Sequence, residues 1–562
     1  MFAAALAAMD EKGQQVATDY YKNHGAPKED LQKPLFLLIA GDFFEIQNFI
    51  FDEVSTKYAA KTLRAKSAYV QILTKVLAYH VAEGIGLSKY AIISTHAGKF
   101  ELLAPNSEEI VKGLEELQRE LDQYFLQNHF GLTGVGLAWE AMSIADFLFK
   151  GDGKDGNLYK RARERIAEAM EERKFQKFGL GEQGFVLFEI DEDLDNQNLC
   201  DFCRKRKGRD REGYVICKSC RKFVDIGQAL VKKPYMAISK ERRKGDDIEI
   251  YEGYYLHFFD NPSELKTQND IAIFDIRSDG EFRGFVKWEL DSYVARREAF
   301  QEYESFLQSK SEEYGKSDVL TLQELAALSV REGIENGRRE RGVEALMALK
   351  GDGDGMGSFI RSSDVTDSFA KYNFFARMVD YYFSVYVPRE HMGKKALYTV
   401  FAGGDDMFVL GAWDDVIELA QRTRDDFVRF SGGRLTFSVG LVMNRANKPV
   451  NFLANAAEEA LGEAKGYICR KGERAMVCDI EVERCEEIYS LREREPLLEI
   501  DDEELRKYGF WKKDALSLFG EVSRWQEYRA VQKSFARCFN HPNGEEFKTS
   551  LFMACWILRI WP

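Results

Sequence analysis

The feature that most constrains the fold of this chain is a pattern that occurs twice. Each copy begins with an apolar run typical of a buried strand, 35–40 in the first copy and 345–350 in the second, and Gly-Asp follows each run. A helical stretch, a β-hairpin and a further apolar strand then follow in the same order. From the aspartate to the hairpin there are 55 residues in the first copy and 51 in the second, and the last strand begins 35 and 32 residues later. Because order and spacing both agree, a duplication explains the pattern better than coincidence.

This order of elements describes a ferredoxin-like palm, the fold of nucleotide cyclases and polymerases. The chain has 562 residues, which is too many for a single hydrophobic core. We therefore predict an α+β protein with two palms, a zinc-ribbon module between them and a C-terminal helical domain. The expected boundaries are 1–190 for the first palm, 191–290 for the zinc-ribbon module with its strands, 291–487 for the second palm and 488–562 for the helical domain.

Charge and hydropathy exclude some classes of protein. The net charge of −14 argues against a protein that coats itself with nucleic acid non-specifically. Basic stretches at 204–211, 241–244 and 338–341 are interpreted as solvated loops in preference to nucleic-acid contacts. No apolar run reaches the roughly 18–20 residues that a membrane span requires, and the apolar start 1–9 has no basic residue before it and is too short for a signal peptide. We expect a soluble cytoplasmic protein with no membrane contact.

Four cysteines have the spacing of a metal site. Cys200 and Cys203 form one C-x-x-C pair, Cys217 and Cys220 form a second, and 13 residues separate the pairs. Two such pairs can surround one tetrahedral Zn²⁺ with four sulfurs, and such a closed shell is structural because it leaves no position for water. A thioredoxin-type redox pair is the alternative, but it leaves the second pair unexplained. The remaining cysteines lack this spacing and are interpreted as ordinary thiols: Cys469, Cys478, Cys485, Cys538 and Cys555.

Three aspartates in the second copy are candidates for catalysis. Asp352 follows the first strand, and Asp405 and Asp406 follow Gly403 and Gly404 in the hairpin. Joining nucleotides requires two divalent ions about 4 Å apart, and Mg²⁺ prefers carboxylate oxygens together with phosphate and water. The sequence therefore predicts a two-metal site for Mg²⁺ or Mn²⁺, with the two glycines allowing a sharp turn and the close approach of a phosphate. A surface hairpin is the alternative, but apolar strands flank this one on both sides.

The first copy has Ala-Gly-Lys at 97–99 in place of this acidic hairpin, so we expect metal ions only in the second copy. Three more residues are candidates for binding the triphosphate. Asp354 could assist Asp352 or only shape the turn. Ser358 opens the next helix, where it could face a phosphate or serve only as a cap. Lys465, at the end of a later helix, could reach the β- and γ-phosphates or only offset the helix dipole.

These residues resemble a known family, the large subunit of type III CRISPR effector complexes, also called the CRISPR polymerase. The layout is closer to the Csm (III-A) form than to the Cmr form, and the matching segments run in the family's order over 35–470. They are Gly41-Asp42 with 46–51 (IQNFIF), 63–67 (LRAKS), the four zinc cysteines, 350–357 (KGDGDGMG), 403–406 (GGDD), 437–440 (FSVG), 457–460 (AEEA) and 464–465 (AK).

The resemblance implies an antiviral ribonucleoprotein that contains a guide crRNA and smaller CRISPR backbone subunits. When a target RNA pairs with the guide, the second palm would convert ATP into cyclic oligoadenylates with Mg²⁺ or Mn²⁺. The first palm would bind one of the two ATP molecules without chemistry of its own. Adenine as the base rests entirely on the resemblance.

Many members of this family carry an N-terminal HD nuclease domain, which cuts single-stranded DNA with metal ions held by a His-Asp pair. Here 34 residues precede the first palm strand, and His-Asp does not occur at any of the seven histidines. We therefore predict no HD-dependent deoxyribonuclease activity.

Two other functions are compatible with parts of the pattern. A diguanylate-cyclase-like enzyme shares the palm, but its hairpin usually continues Gly-Gly-Asp/Glu-Glu-Phe, whereas Asp406 and Met407 stand here. A duplicated palm with a zinc ribbon also has no place in that enzyme. A catalytically silent scaffold subunit is the second alternative, and the three retained aspartates speak against it because they repel one another without a function to keep them together.

Overall fold

The chain divides into two compact units, Met1–Asp291 with Ile360–Tyr381, and Ser292–Phe359 with Tyr382–Pro562. The computed structural model describes residues 5, 7–9, 11–23, 28–52, 59–96, 98–148, 157–179, 199–211, 213–243, 247–264, 270–276, 284–288, 293–310, 318–331, 334–335, 338–339, 343–362, 364–477, 480–487, 505, 507–508, 510–529 and 532.

A four-stranded antiparallel sheet is the centre of the first unit. Its order is β2-β3-β1-β4, with β1 at Phe36–Phe44, β2 at Ile92–His96, β3 at Lys99–Pro105 and β4 at Gly134–Met142. Because side chains alternate along a strand, β1 contributes to a core on each face of the sheet. The helices of this unit are Glu11–Asn23, Lys28–Leu31, Ile46–Phe51, Ala59–Gly84, Glu108–His129, Ile144–Leu148, Leu158–Phe175, Lys218–Lys232 and Phe369–Tyr381, with short 3₁₀ turns at Lys89–Ala91, Lys177–Gly179 and Pro262–Glu264.

The zinc-ribbon sequence forms a hairpin, a helix and a sheet within this same unit. The helix Lys218–Lys232 packs closely on Ala59–Gly84, since a Cβ at Gly227 would lie 2.2 Å from the carbonyl oxygen of Lys61. Arg64 donates to the Gly227 carbonyl at 2.7 Å. The hairpin consists of β5 (Arg209–Arg211) and β6 (Tyr214–Ile216), and the sheet, in the order β11-β10-β7-β9-β8, consists of β7 (Tyr235–Ser239), β8 (Ile248–Tyr251), β9 (Tyr254–Phe259), β10 (Asp270–Asp275) and β11 (Val286–Lys287).

The second unit repeats the strand order of the first. Its main sheet runs β15-β16-β14-β17-β21-β22, so the first four positions match β2-β3-β1-β4 strand for strand. The predicted duplication of the palm is confirmed. The strands are β12 (Ile334–Glu335), β13 (Arg338–Arg339), β14 (Leu346–Asp354), β15 (Leu397–Gly403), β16 (Asp406–Ala412), β17 (Thr436–Asn444), β18 (Ile468–Val477), β19 (Ile480–Glu487), β20 (Phe510–Lys512), β21 (Ala515–Leu518) and β22 (Glu521–Arg524).

Apolar residues from several helices cover this second sheet. Phe427 packs against both Phe383 and Phe437, with ring centroids 5.1 and 6.1 Å away, and contributes to the core beneath β14 and β17. The α-helices of this unit are Glu304–Gln308, Leu322–Leu328, Met356–Ser362, Val387–His391, Trp413–Phe430 and Val450–Lys465, and it also contains the 3₁₀ helix Arg297–Tyr303 and the π-helix Tyr382–Tyr386. The 3₁₀ turn Asp364–Asp367 belongs to the first unit.

The C-terminal region departs from the predicted helical domain 488–562. Within the described residues, 510–524 form strands, and a short helical turn follows at 525–529. Strand β21 pairs in parallel with β17, and β20 pairs with β18, so these residues extend the second palm. All four residues of β21 are buried. A four-residue segment carries little periodicity of its own, and its pairing with a distant strand decides its conformation.

Two further observations concern predictions made from the sequence. Cys469 is disulfide-bonded, so its interpretation as an ordinary thiol is wrong. Among the described residues, no helix is both long enough and apolar enough to cross a membrane.

Candidate active site

The β-sheet register brings the predicted catalytic aspartates to one edge of the second palm. Strand β14 ends beside the hairpin, and Asp352 lies directly opposite Asp406 on β16. Opposite residues of an antiparallel pair have Cα atoms about 4.5–5.5 Å apart. Asp405 occupies the turn, where its backbone carbonyl accepts a hydrogen bond from the Gly353 N–H at 2.8 Å. Gly404 has φ of +63°, a conformation that most other residues adopt only with strain.

Two lysines contact these carboxylates. Lys465 forms an ion pair with Asp352, and the Nζ of Lys350 donates to Asp406 Oδ2 at 2.6 Å. Burial raises the pKa of Asp406 to about 6; the carboxylates of Asp352 and Asp405 act in the same direction and Lys350 opposes them. Burial acts to lower the pKa of Lys465, but the negative charges of Asp352, Asp354 and Asp405 together outweigh it and the pKa is raised. The site therefore concentrates negative charge, and the side chains of Lys350 and Lys465 neutralise part of it.

Asp354 lies beneath the site in a hydrogen-bond network. Its Oδ2 accepts from Thr436 Oγ1 at 2.9 Å, from Ser438 Oγ at 2.8 Å and from the backbone N–H of Asp514 at 3.1 Å. Burial raises the pKa of Asp354 to about 6. These contacts link the end of β14 to β17 and to the residue before β21. They favour the second of the two roles considered for Asp354 from the sequence, which is to shape the turn.

The other predicted nucleotide-binding residues lie around the hairpin and the start of the next helix. Gly403 ends β15 and pairs with Asp406. Ser358 is half-buried and lies in the first turn of the helix Met356–Ser362, so it is not the residue that precedes the helix. Gly355, with φ of +70°, makes the turn from β14 into this helix. Gly403 and Asp406 therefore lie opposite each other in the hairpin, and Ser358 lies in the helix that follows β14.

Two observations test whether the aspartates fit divalent ions. The Oδ1 atoms of Asp354 and Asp406 are buried, and neither has a hydrogen-bond partner among the described residues. Such an oxygen is costly unless a cation or a donor satisfies it. The carboxylates of the three candidate residues, Asp352, Asp405 and Asp406, are not packed within 4.8 Å of one another, so they do not form a closed shell for one ion. Carboxylates spread over two strands, with an oxygen on Asp406 that has no hydrogen-bond partner among the described residues, fit ions that also bind phosphate and water.

The four cysteines converge as the sequence predicts. The Sγ atoms of Cys200, Cys203, Cys217 and Cys220 all lie within 4.8 Å of one another, and no other group of this kind occurs among the described residues. The sulfurs of Cys203 and Cys217 are 3.9 Å apart, close to the roughly 3.8 Å that four ligands at about 2.3 Å around Zn²⁺ require. The backbone N–H of Cys217 donates to the sulfur of Cys200 at 3.3 Å. The residues fit a tetrahedral Zn²⁺.

Cations that sequence reasoning missed lie beside this cluster. Lys66, Arg206 and Lys222 line a cavity of about 70 Å³ together with Cys203 and Cys220. Four thiolates around Zn²⁺ carry a net charge of −2, and nearby basic side chains offset such a charge. Lys66 belongs to the first-palm helix Ala59–Gly84, within the LRAKS segment, so this segment contributes to the surroundings of the metal cluster.

The first palm uses the equivalent positions differently. Asp42 on β1 corresponds to Asp352, and its partner across the sheet is Lys99, at the position of Asp406. Lys99 lies 3.9 Å and Lys174 lies 3.4 Å from the Asp42 carboxylate. The hairpin of the first palm therefore supplies a cation where that of the second supplies a carboxylate.

Sequence reasoning did not single out Lys350 or Lys174. For Lys350 a signal was present, because it is the only charged residue between 345 and 350 and stands next to Gly351-Asp352. For Lys174 there was none, since it is one of many charged residues on the helix Leu158–Phe175.

Comparison with known proteins identifies the family. A family model described as Csm1 subunit domain B matches residues 35–189, and one described as the second palm domain of Cas10/Cmr2 matches residues 345–474. A curated relative from Thermococcus onnurineus (strain NA1), a "CRISPR system single-strand-specific deoxyribonuclease Cas10/Csm1 (subtype III-A)", is 28% identical over 453 residues, which cover 76% of this chain and 54% of the relative. Curated homologues of this chain are Cas10/Csm1 proteins of subtype III-A. The resemblance recognised from the motifs is confirmed, including its Csm form.

Solved Cas10/Csm1 structures share the fold. A crystal structure of a Csm1–Csm4 cassette in complex with one ATP has 24% sequence identity and a TM-score of 0.57, covering 80% of this chain and 56% of that one. A Csm1–Csm4 cassette in complex with cA4 has 21% identity and a TM-score of 0.56, covering 97% of this chain and 68% of that one. The chain spans about half the length of the curated Cas10/Csm1 relatives that it matches.

Proposed function

We propose that this chain is a cyclic oligoadenylate synthase, the large subunit of a type III-A CRISPR effector complex. The observation that carries the proposal is the pairing of Asp352 with Asp406 across neighbouring strands, next to Asp405 in a glycine turn. This is the arrangement of carboxylates that nucleotidyl transfer requires. The relatives' complexes with ATP and with cA4 support the choice of substrate and product.

The reaction joins ATP molecules. A ribose hydroxyl of one ATP attacks the α-phosphorus of another, the α–β anhydride bond breaks, pyrophosphate leaves, and the hydroxyl proton passes to solvent or to a carboxylate. Repetition and a final intramolecular attack close the ring, with one pyrophosphate released for each ATP. Divalent ions, Mg²⁺ or Mn²⁺, would activate the hydroxyl and stabilise the charge on the triphosphate.

The residues of the chain have separate parts in this scheme. Asp352, Asp405 and Asp406 would hold the ions, and Gly403 and Gly404 would leave room for a phosphate beside the hairpin. Lys465 forms an ion pair with Asp352 and would bind the β- and γ-phosphates when ATP is present. Its long, flexible side chain could reach either the carboxylate or the phosphates. Ser358 would contact the triphosphate from the first turn of its helix, and Asp354 would hold the end of β14 in place.

The partners follow from the same family. We propose that the chain assembles with a guide crRNA, a Csm4-like subunit and further small backbone subunits, and that a paired target RNA switches synthesis on. Csm1–Csm4 cassettes among the structural relatives support this assembly. The four cysteines would hold a structural Zn²⁺. The predicted lack of HD-dependent nuclease activity stays a prediction; cleavage of single-stranded DNA by the purified chain at a rate unchanged by Asp405→Asn/Asp406→Asn would contradict it.

The test is incubation of the assembled complex with either ATP or GTP, Mn²⁺ or Mg²⁺ and target RNA, followed by mass spectrometry. Adenylate rings are expected from the wild type and not from Asp405→Asn/Asp406→Asn. Products from GTP alone would favour the diguanylate-cyclase-like alternative, and the absence of product from both proteins would favour the scaffold. Zinc is measured separately by elemental analysis, with one ion per chain expected and none in Cys203→Ala/Cys220→Ala.

A further inference from the structure

Lys350 is a buried charge at the centre of the second palm. Its side chain is 2% exposed, and its Nζ donates to Asp406 Oδ2 at 2.6 Å. The same Nζ lies 4.5 Å from the ring centre of Phe401 and 3.8 Å from the Glu458 carboxylate. Removing an ammonium group from water is costly, so a lysine in a central strand needs a strong reason to be there.

The two palms provide an internal comparison for this position. The registers align Gly41 with Gly351, so the residue of the first palm equivalent to Lys350 is Ala40. In the first palm the hairpin carries Lys99 in place of Asp406, and the central strand carries alanine. The buried lysine therefore occurs in the copy that has the hairpin carboxylate.

The geometry of the contact leaves the two oxygens of Asp406 unequal. Oδ2 is engaged by Lys350, whereas Oδ1 is buried and has no hydrogen-bond partner among the described residues. A carboxylate held in this way can offer one oxygen to a metal ion but cannot easily chelate it with both. This distinction separates two classes of ion: Ca²⁺ accepts bidentate carboxylates and six to eight ligands, whereas Mg²⁺ requires a compact octahedron.

We infer that Lys350 is a positioning residue that restricts Asp406 to one metal-binding oxygen and thereby selects small octahedral ions, Mg²⁺ or Mn²⁺, over Ca²⁺. The inference rests on the proposed function, because it requires that Asp406 binds a divalent ion. It adds a determinant of metal choice that acts through Asp406 and touches neither the ion nor the nucleotide.

The test compares two substitutions of similar size. Lys350→Met removes both the hydrogen bond and the charge, whereas Lys350→Gln removes the charge but keeps a donor for Oδ2. Loss of a nearby positive charge strengthens the binding of every divalent ion, so the informative quantity is the ratio of the Ca²⁺ and Mn²⁺ dissociation constants. Both are obtained from the electron paramagnetic resonance of free Mn²⁺, with Ca²⁺ as competitor. Binding to Asp405→Asn/Asp406→Asn is subtracted as background, and the melting temperature of each variant verifies folding.

In Lys350→Met the ratio is expected to shift toward Ca²⁺ by about tenfold, the order of magnitude that one added ligand oxygen provides. In Lys350→Gln it should stay within about twofold of the wild type. In an Asp406→Asn background, Lys350→Met should leave the ratio unchanged, since the effect passes through the Asp406 carboxylate.

The outcomes separate the inference from the proposed function. If the wild type binds no Mn²⁺ above the background, the metal site itself is refuted. If the wild type binds Mn²⁺ but Lys350→Met keeps the wild-type ratio, Lys350 is only a buried ion-pair partner and the inference is overturned. An equal shift in Lys350→Gln would also overturn it, because charge and not the engaged oxygen would then set the selectivity.

Discussion

The two palms share a backbone plan and differ in how they balance charge at one edge. In the first palm the carboxylate of Asp42 meets Lys99 and Lys174, so the protein neutralises it with its own side chains. In the second palm the position of Lys99 is taken by Asp406, and the carboxylates outnumber the lysines that contact them. The contrast indicates that replacing the lysine of one hairpin with Asp405 and Asp406 changes a sheet edge that its own side chains neutralise into one that can bind cations from solution.

The largest effect is expected from neutralising the acidic hairpin. Asp406→Asn should lower the rate of oligoadenylate formation by about 10²–10³-fold, since charge stabilisation by a bound metal ion contributes several kcal/mol. The matched change in the first palm, Lys99→Met, should leave the rate within about threefold, because we place no chemistry there. Product formation by the assembled complex, measured by mass spectrometry at saturating ATP, tests both. Equal losses in the two variants would contradict the assignment of the chemistry to the second palm.

A second pair of substitutions tests the central strands. Asp352→Asn should reduce synthesis by about 10²-fold or more, as expected for the loss of a metal ligand. Asp42→Asn removes a carboxylate that Lys99 and Lys174 already neutralise, so we expect a change in KM for ATP and little change in kcat. Steady-state kinetics of the two variants separate these results, and a large fall in kcat for Asp42→Asn would show that the first palm takes part in chemistry.

Substitution of the lysines that contact these aspartates should change the kinetics less than substitution of the aspartates themselves. Lys465→Met is expected to lower kcat/KM about 10–100-fold, because it removes a cation near the transferring phosphate. Lys174→Met, on the first palm, should change kcat/KM only about two- to fivefold. If Lys465→Met instead lowers only the melting temperature and leaves the kinetics unchanged, the ion pair with Asp352 is its whole role.

The smallest effects are expected at the two hairpin glycines. Gly98 has φ of +80° and Gly404 has φ of +63°, so alanine at either position should cost about 1–2 kcal/mol of unfolding free energy. At Gly98 the added Cβ would also meet the Ile46 side chain at 2.4 Å, which can move aside. Only Gly404→Ala should also slow synthesis. Chemical denaturation and product assays on the same preparations check both statements.

Much of this architecture could be predicted from local signals. The apolar runs, the Gly-Asp strand ends and the glycine turns are short patterns that recur at matching spacing, and the sheet orders confirm the duplication they indicate. The four cysteines were predictable because their spacing encodes tetrahedral geometry.

Other features depend on contacts between distant residues and left no local signal. The contact of Lys350 with Asp406 spans 56 residues and depends on the register of β14 against β16. The pairing of β21 with β17 joins segments more than 70 residues apart. Neither contact follows from residue type or periodicity. Each is stabilised by a partner that is distant in sequence and becomes a neighbour only when the sheet forms.

The strands beyond the second palm have a practical consequence for preparing this protein in pieces. A fragment that stops at 487 would remove β21 from the edge of β17 and would expose a row of unpaired backbone groups. It would also lack two hydrogen bonds. The backbone N–H of Asp514 donates to the Asp354 carboxylate, and the Trp525 indole donates to the Phe437 carbonyl at 3.0 Å. Such a fragment should precipitate on expression, whereas one that runs to 529 keeps its outer strands and should remain suitable for crystallisation.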